Sequence, residues 1–348
     1  MNDLVLSIIK ISSLALFSFL IGLAIFPFLY YFLIKNKAGK SIRTEGAPIF
    51  QSLHQKKAGT PTMGGLILWL IPLILAILFS VGNRFNPDLF GWLNFLNRRE
   101  TLLPLGFLVL AGLVGSLDDI LGILKFRPVG GLTIKEKILI YFGFSILIIW
   151  WFITKLNITF IYVPFLGRAY LGFFWFSVFI IFLILGTSFS ANETDGLDGL
   201  LGGVAVISIA VILLVSFANH DYNLASLCAV LIGSILAFLW FNIYPAKVFM
   251  GDTGAMALGI FIGLAALIEG VPLLLPLMIP IFTIESTSVL LQIFWKKFFK
   301  KKLFLSTPIH HHFEALGNNE ANIVFKFWLI DLLGAIFAFI IFIVDKFS

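Results

Sequence analysis

Residues 199–220 read GLLGGVAVISIAVILLVSFANH, a run without any Asp, Glu, Lys or Arg. A helix that crosses a membrane needs about 20 mainly apolar residues, and this run is long enough. The whole chain has the same character, because 60% of its 348 residues are apolar and only 12% are charged. Soluble proteins carry about 25% charged residues. The composition therefore excludes a water-soluble protein and an intrinsically disordered one.

Nine more apolar runs occur along the chain. They cover residues 11–34, 58–83, 101–117, 138–154, 169–192, 222–246, 253–268, 270–295 (interrupted by Glu285) and 323–344 (which contains Lys326 and Asp331). The strict alternation of a barrel strand is absent, so helices are the remaining way to satisfy the backbone in lipid. The sequence predicts an all-α polytopic membrane protein with ten transmembrane helices, in one domain over residues 1–348.

The distribution of Lys and Arg predicts the orientation, because these residues are enriched in short cytoplasmic loops. With ten spans, the odd-numbered loops hold sixteen of them: Lys35, Lys37, Lys40, Arg43, Lys56, Lys57, Lys125, Arg127, Lys135, Lys137, Lys247, Lys296, Lys297, Lys300, Lys301 and Lys302. The other side holds seven: Lys10, Arg84, Arg98, Arg99, Lys155, Arg168 and Lys346. Both termini are therefore predicted to be extracytoplasmic. Orientation and contact with membrane lipids account for the net charge of +6, so no nucleic-acid partner is expected.

Acidic residues gather at the ends of helices on the predicted cytoplasmic side. They are Asp118, Asp119, Asp195, Asp198 and Asp252. Clustered carboxylates repel one another unless a cation lies between them, and oxygen ligands together with substrate phosphates suit Mg²⁺. The alternative for each single residue is a solvated helix cap.

The spacing of three polar residues gives a more local prediction. Asn192, Asp195 and Asp198 are three residues apart, which predicts a common face at the start of a helix.

Glycine-rich loops accompany these acids. DGLDG at 195–199, MGDTG at 250–254 and GTPTMGG at 59–65 would let backbone N–H groups approach a phosphate. Lys57, two residues before the third loop, would be a phosphate contact. The alternatives are ordinary turns and a lysine that only anchors the topology.

The ninth loop holds three consecutive histidines, His310, His311 and His312. They cannot all face one way on a helix, which argues against a zinc site made from these three alone. One or two imidazoles could bind diphosphate or move a proton near neutral pH, and the alternative is a solvated interfacial loop. Glu285 lies inside a proline-rich span and is interpreted as a structural pairing residue in a bent helix.

Six motifs in order resemble those of the phospho-N-acetylmuramoyl-pentapeptide transferase family. They are GTPTMGG at 59–65, DD at 118–119, GLT at 131–133 leading to Lys137, NETDGLDG at 192–199, NIYPAKVFMGDTG at 242–254 and PIHHHFE at 308–314. The resemblance implies Mg²⁺ and transfer of phospho-MurNAc-pentapeptide from UDP-MurNAc-pentapeptide to undecaprenyl phosphate, giving lipid I and UMP. It also implies the bacterial inner (cytoplasmic) membrane, an active site facing the cytoplasm, and a homodimer.

The resemblance assigns roles to residues of this chain. Asp118, Asp119 and Asp252 match catalytic carboxylates, with Asp252 as the Mg²⁺ ligand and Asp118 as the group that deprotonates or orients the lipid phosphate. His311 is the histidine that we assign to catalysis. The matches to substrate-binding positions are Lys57, Thr62, Lys137, Asn192, Asp195, Asp198, Asn242, Phe249, Gln292, His310 and His312. Gly122 departs from the pattern, because a lysine commonly follows the Asp pair there.

Two other functions stay open at this point. A polyprenyl-phosphate N-acetylhexosamine-1-phosphate transferase using another UDP-sugar would share the acidic loops but should lack PIHHHFE. A transporter would place its ionisable groups near the middle of the bilayer, whereas most acids here lie near helix ends.

Overall fold

The computed structural model describes residues 3–39, 57, 59–98, 100–126 and 130–348. Five of the cations that enter the orientation prediction lie outside the described residues: Lys40, Arg43, Lys56, Arg99 and Arg127.

Twelve α-helices are present in the described part of the chain. In chain order they are α1 Asp3–Lys35, α2 Leu66–Gly82, α3 Leu102–Ile123, α4 Ile134–Trp151, α5 Gly172–Thr194, α6 Leu200–Ala218, α7 Tyr222–Asn242, α8 Asp252–Ile268, α9 Leu275–Met278, α10 Pro280–Phe299, α11 Ile309–Ala315 and α12 Glu320–Phe347. Short π-helical turns at Pro87–Gly91 and Phe152–Leu156 and a 3₁₀ turn at Pro272–Leu274 extend this set.

The protein is a multi-pass membrane protein. Among the described residues, seven helices are long and apolar enough to cross a membrane, and the bent pair Pro272–Met278 and Pro280–Phe299 makes an eighth if it forms one span. Two further apolar helices, α2 and α8, are 17 residues long. All of them coincide with apolar runs of the sequence.

Helix α8 lies at the centre of the bundle. Every residue from Thr253 to Leu267 is buried, as expected for a helix that is apolar on all sides. Helices α3 and α5 pack along it, and α7 packs between α1, α2 and α6. The outer helices present large apolar side chains outward, for example Phe28 of α1 and Phe182 of α5, which suits contact with lipid.

A sharp bend of 86° separates α10 from the short helices before it. Pro280 follows the break, and its ring lacks the backbone N–H that a continuous helix would use. The side chain of Asp331 on α12 accepts a hydrogen bond from the N–H of Ile281 at 3.3 Å, so it caps the first turn of α10. The bent helix predicted around Glu285 is confirmed.

A small β-hairpin departs from the all-α prediction. Strand β1, Phe160–Val163, pairs antiparallel with β2, Gly167–Tyr170. The segment is short, aromatic and β-branched, and positive φ angles occur at Phe165 in the turn and at Gly167, the first residue of β2. Such a four-residue strand is too short to produce a period-2 signal against the apolar runs that flank it.

Candidate active site

The carboxylates predicted at separate helix ends meet at one end of the bundle. Asp118 and Asp119 lie in the last two turns of α3, and Asp252 is the first residue of α8. Gly115 permits this approach, because a Cβ on Gly115 would overlap the backbone carbonyl of Asp252. The packing of α3 on α8 therefore assembles the acidic centre.

Lys137 lies between two of the three carboxylates. Its Nζ is 2.6 Å from Oδ2 of Asp118 and 3.0 Å from Oδ1 of Asp252. The N–H of Leu132 also donates to Asp118. Lys137 is held in place by a capping box at the start of α4, in which Thr133 and Glu136 hydrogen-bond each other's backbone N–H. The lysine reduces the repulsion between Asp118 and Asp252.

Asp119 points away from Asp118, as expected for neighbours separated by about 100° on a helix. Its Oδ2 accepts a hydrogen bond from the N–H of Thr253 at 3.0 Å. The Thr62 hydroxyl is buried near the same place and has no hydrogen-bond partner among the residues that the structure describes. Both Asp119 Oδ2 and Thr62 Oγ1 lie against Gly251. A buried hydroxyl without a partner is costly, so this location suits a polar ligand group.

The side chains of this centre suit a hard cation. No set of three or more His, Cys, Asp or Glu side chains within the described residues is arranged to hold a metal ion. Carboxylate oxygens are nevertheless the ligands that Mg²⁺ prefers, usually one or two of them with substrate phosphates. Of the two carboxylates that contact Lys137, Asp252 is the more accessible, with 23% of its side chain exposed against 3% for Asp118.

A second charged cluster surrounds Lys57. Its Nζ is 2.7 Å from Oδ1 of Asp198 and 2.5 Å from Oε1 of Glu320, and it lies 6.0 Å from the ring centre of Phe249. Burial disfavours the charged lysine, but Glu320 and Asp198 outweigh that effect and raise the pKa of Lys57. The N–H of Ala246 donates to the other oxygen of Asp198 at 3.0 Å.

The segment 192–199 does not begin a helix, so that prediction is wrong. Helix α5 ends at Thr194 and α6 begins at Leu200. Asn192 is on the last turn of α5 and donates to the hydroxyl of Tyr141 at 2.9 Å, whereas Asp195 and Asp198 lie in the turn. Gly199 has a φ of 81°, a backbone conformation that favours glycine. This residue lies between the end of α5 and the start of α6.

Asn242 joins this turn to the loop before α8. Its Oδ1 accepts from the N–H of Gly199 at 3.0 Å, and its Nδ2 donates to the carbonyl of Val248 at 2.8 Å. Phe249 is next in that loop, and its N–H donates to the carbonyl of Pro61 at 2.8 Å. Three glycine-rich loops predicted from the sequence are thus connected.

The three histidines do not all face one way, as predicted, and each contacts a different partner. His310 and Glu285 form a fully buried pair, 3.1 Å apart. His311 lies 2.7 Å from Oε2 of Glu314, and His312 accepts a hydrogen bond from the N–H of Leu305 at 3.2 Å. The pairing predicted for Glu285 is confirmed.

Gln292 holds the loop that leads to the histidines. Its Oε1 accepts from the N–H groups of Leu303 and Phe304 at 2.9 and 3.0 Å, and its Nε2 donates to the Phe304 carbonyl at 3.0 Å. In this arrangement the amide group of Gln292 contacts the protein backbone.

Comparison with known proteins identifies the family. The profile described as glycosyl transferase family 4 matches residues 101–270, and the phospho-N-acetylmuramoyl-pentapeptide-transferase signature 1 matches residues 57–67. The phospho-N-acetylmuramoyl-pentapeptide-transferase of Caldanaerobacter subterraneus subsp. tengcongensis is 37% identical over 95% of this chain and 98% of its own length. The chain belongs to the phospho-N-acetylmuramoyl-pentapeptide-transferase family. The transferase of that name from Listeria welshimeri is 39% identical over 92% of this chain and 94% of its own.

The family signature at residues 57–67 includes residues of the candidate site. This segment contains Lys57 of the charged cluster and Thr62, which lies beside Asp119. The longer match, over residues 101–270, contains all three aspartates of the acidic centre. The transferase matches therefore cover both parts of the site.

Two contact residues of this transferase site were not among the sequence-based candidates. Tyr141 binds Asn192 and follows Lys137 by four residues, so the helical spacing could have placed both on one face. Glu320 contacts Lys57, but an acidic residue in the first turn of a helix, next to an N-cap such as Asn319, is common and does not indicate a functional site. Nothing in the local sequence indicates its partner.

We predict that Gly115→Ala separates α3 from α8. The added methyl group overlaps the Asp252 carbonyl, and such overpacking costs about 1–3 kcal/mol of stability. We expect at least an approximately tenfold loss of turnover, because displacement of catalytic groups by about 1 Å can cost a hundredfold. Gly106→Ala, in the same helix with nothing within 4 Å of the new Cβ, is the matched control. Equal turnover in the two variants would contradict the role of Gly115.

Proposed function

We propose that this transferase moves phospho-MurNAc-pentapeptide from UDP-MurNAc-pentapeptide to undecaprenyl phosphate, which gives lipid I and UMP. This is the first membrane step of peptidoglycan synthesis. The observation that carries the proposal is the acidic centre of Asp118, Asp119 and Asp252 with Lys137, placed beside the Lys57 cluster at one end of a membrane helix bundle. The family membership over nearly the whole chain supports it.

The residues of the acidic centre have distinct roles in this proposal. An oxygen of the lipid phosphate attacks the phosphorus that carries the sugar, and the bond from that phosphorus to the bridging oxygen breaks, so that UMP leaves. Asp118 orients the lipid phosphate or removes its proton. Lys137 offsets negative charge on the diphosphate, since positioning and charge neutralisation dominate phosphoryl transfer.

Asp252 is the residue that we propose to hold Mg²⁺. Its carboxylate is the more accessible of the two beside Lys137, and Asp119 with Thr62 supplies further oxygen atoms close by. When bound, Mg²⁺ would neutralise charge on the diphosphate.

We further propose that His311 takes part in catalysis through its imidazole ring. Nδ1 of that ring lies 2.7 Å from Oε2 of Glu314.

The remaining predicted site residues are proposed to bind the donor. The residues proposed to surround the nucleotide are Lys57, Asn192, Asp195, Asp198, Asn242 and Phe249. In support of this, the Lys57 amine contacts Asp198 and lies over the Phe249 ring. Gln292, His310 and His312 would shape the wall of this pocket through the loop and helix that they hold.

The proposed topology has ten spans, with both termini extracytoplasmic and the active site facing the cytoplasm of a bacterium, across its inner membrane. Ten spans are supported if the bent pair forms one span, because the described residues then hold eight long apolar helices in addition to α2 and α8. The proposal includes a homodimer, which cross-linking in membranes can test. We predict that alkaline phosphatase fused after Ser348 is active and that green fluorescent protein fused there is dark. The reverse result would contradict the orientation.

The donor specificity is tested by UMP release. Purified protein with undecaprenyl phosphate and Mg²⁺ should release UMP from UDP-MurNAc-pentapeptide and not from UDP-N-acetylglucosamine. A blank reaction without undecaprenyl phosphate controls for hydrolysis. Release from UDP-N-acetylglucosamine alone would favour the related transferase, and release from neither donor would contradict a transferase of this kind.

A further inference from the structure

Glu320 is the residue that joins three parts of the Lys57 cluster. One oxygen, Oε1, is 2.5 Å from Nζ of Lys57 and accepts a hydrogen bond from the N–H of Asp198 at 2.8 Å. Asp198 in turn binds the same lysine. One carboxylate of α12 therefore connects the segment at residue 57 with the turn between α5 and α6, although the partners are 263 and 122 residues apart in the sequence.

The Lys57 cluster is largely buried, and burial strengthens its ionic hydrogen bonds. The side chains of Asp198 and Glu320 are 4% and 9% exposed, and that of Lys57 is 18% exposed. Hydrogen bonds to charged groups are stronger than neutral ones, and more so away from bulk water. A lysine on its flexible four-carbon stem would otherwise sample many rotamers. Two carboxylates restrict it to a position facing the Phe249 ring.

The backbone of the turn is held by the same set of contacts. Glu320 fixes the N–H of Asp198, and Asn242 fixes the N–H of Gly199. The side chain of Asp198 binds the N–H of Ala246 in the loop that leads to Phe249. Removal of Glu320 would leave Lys57 with only one of its two carboxylate partners, Asp198, and would also remove one anchor of the turn.

We propose that Glu320 is a positioning residue for the donor nucleotide, which acts by holding Lys57 and the Asp195–Gly199 turn in the geometry that receives it. The inference rests on the proposed function, since the nucleotide is that of the donor. A residue that preorganises a binding site mainly affects affinity. The contacts described for Glu320 are with Lys57 and Asp198, outside the acidic centre, so its effect should fall on the KM for the UDP-sugar.

The alternative is that Glu320 only stabilises the first turn of α12, where an acidic residue is favourable. The chain offers a matched control for this. Asn319 caps the same helix by accepting a hydrogen bond from the N–H of Ala321, and its side chain has no contact with Lys57 among those described. Asn319→Ala therefore weakens the helix start without changing the cluster.

The first experiment compares steady-state kinetics of three variants in detergent or nanodiscs. We expect Glu320→Gln, which keeps the shape and removes the charge, to raise the KM for the UDP-sugar about tenfold, the size expected for a charged hydrogen bond. Its kcat and its KM for undecaprenyl phosphate should stay within about twofold. Glu320→Asp should recover most of the affinity, and Asn319→Ala should leave the KM unchanged.

The second experiment asks whether Glu320 acts through Lys57. In a double-mutant cycle with Lys57→Met, the effect of Glu320→Gln on KM should largely disappear, because the lysine that it positions is gone. Additive effects, an unchanged KM in Glu320→Gln, or a KM effect as large in Asn319→Ala would each overturn the inference.

Binding of UMP separates this inference from the proposed function. Calorimetry with UMP alone needs neither the sugar-peptide nor the lipid. If the wild-type protein binds UMP and Glu320→Gln weakens that binding about tenfold, the role of Glu320 stands even when UDP-MurNAc-pentapeptide proves not to be the donor. Equal UMP affinity in the two proteins, or no binding by the wild type, would overturn it.

Discussion

Asp252→Asn is expected to lower the rate of UMP release by about a hundredfold to a thousandfold, the size found when one preorganised electrostatic group is removed. The substitution keeps the shape of the side chain but removes a negative charge that faces Lys137 and, in our proposal, Mg²⁺. The side chain is partly exposed at the start of α8, so the fold should be retained. Turnover is measured as a function of Mg²⁺ concentration, and thermal unfolding is followed in the same detergent.

The matched control for this variant is Asp88→Asn. Asp88 is an exposed carboxylate in the π-helical turn after the C-terminal end of α2, whereas Thr62, beside Asp119, precedes the other end of that helix. We expect wild-type turnover from it. Near-normal turnover in Asp252→Asn at limiting Mg²⁺ would refute the proposed role of Asp252, and a loss of folding would show that the residue is structural.

Glu285→Ala is expected to lower the thermal unfolding midpoint by roughly 1–4 °C, because a buried polar group that loses its partner costs about 1–3 kcal/mol. Glu285 and His310 are both fully buried, so the imidazole would be left without its partner. His310 also lies directly against Gly196 of the Asp195–Gly199 turn. Turnover should therefore fall together with stability.

A double variant separates these two consequences. Replacing both partners of a buried pair by apolar residues is often close to neutral for stability. Glu285→Met combined with His310→Leu should recover much of the unfolding midpoint, while turnover stays low because the ring beside Gly196 is absent. Full activity in the double variant would contradict a role for His310 at the site, and an unchanged midpoint in Glu285→Ala would contradict the pairing.

The positions of the helices could be predicted from the sequence because a membrane span is a local property. About 20 apolar residues suffice to define one, and each of the runs coincides with an apolar helix. The motifs were informative for the same reason: Asp118, Asp119 and Asp252 lie at the ends of those runs. Antiparallel packing of α3 on α8 then brings them together.

The local sequence pattern gave a wrong prediction at residues 192–199, where one helix ends before the next begins. The spacing of Asn192, Asp195 and Asp198 suits one face of a helix, but Gly199 at positive φ interrupts the backbone between α5 and α6. The hairpin at Phe160–Tyr170 is similar, since four residues per strand are too few for a reliable pattern. In both places a single turn decided the conformation.

The sequence by itself therefore determined that this protein is a membrane-embedded helical transferase, because hydrophobic run length and ordered motifs are properties of short segments. Only the tertiary structure decided which charges meet. Lys57 pairs with Glu320 from the far end of the chain, and Glu285 in a bent helix pairs with His310. Such pairs are set by how helices pack and bend, and side chains separated by many helical turns carry no signal of their partner until the packing brings them into contact.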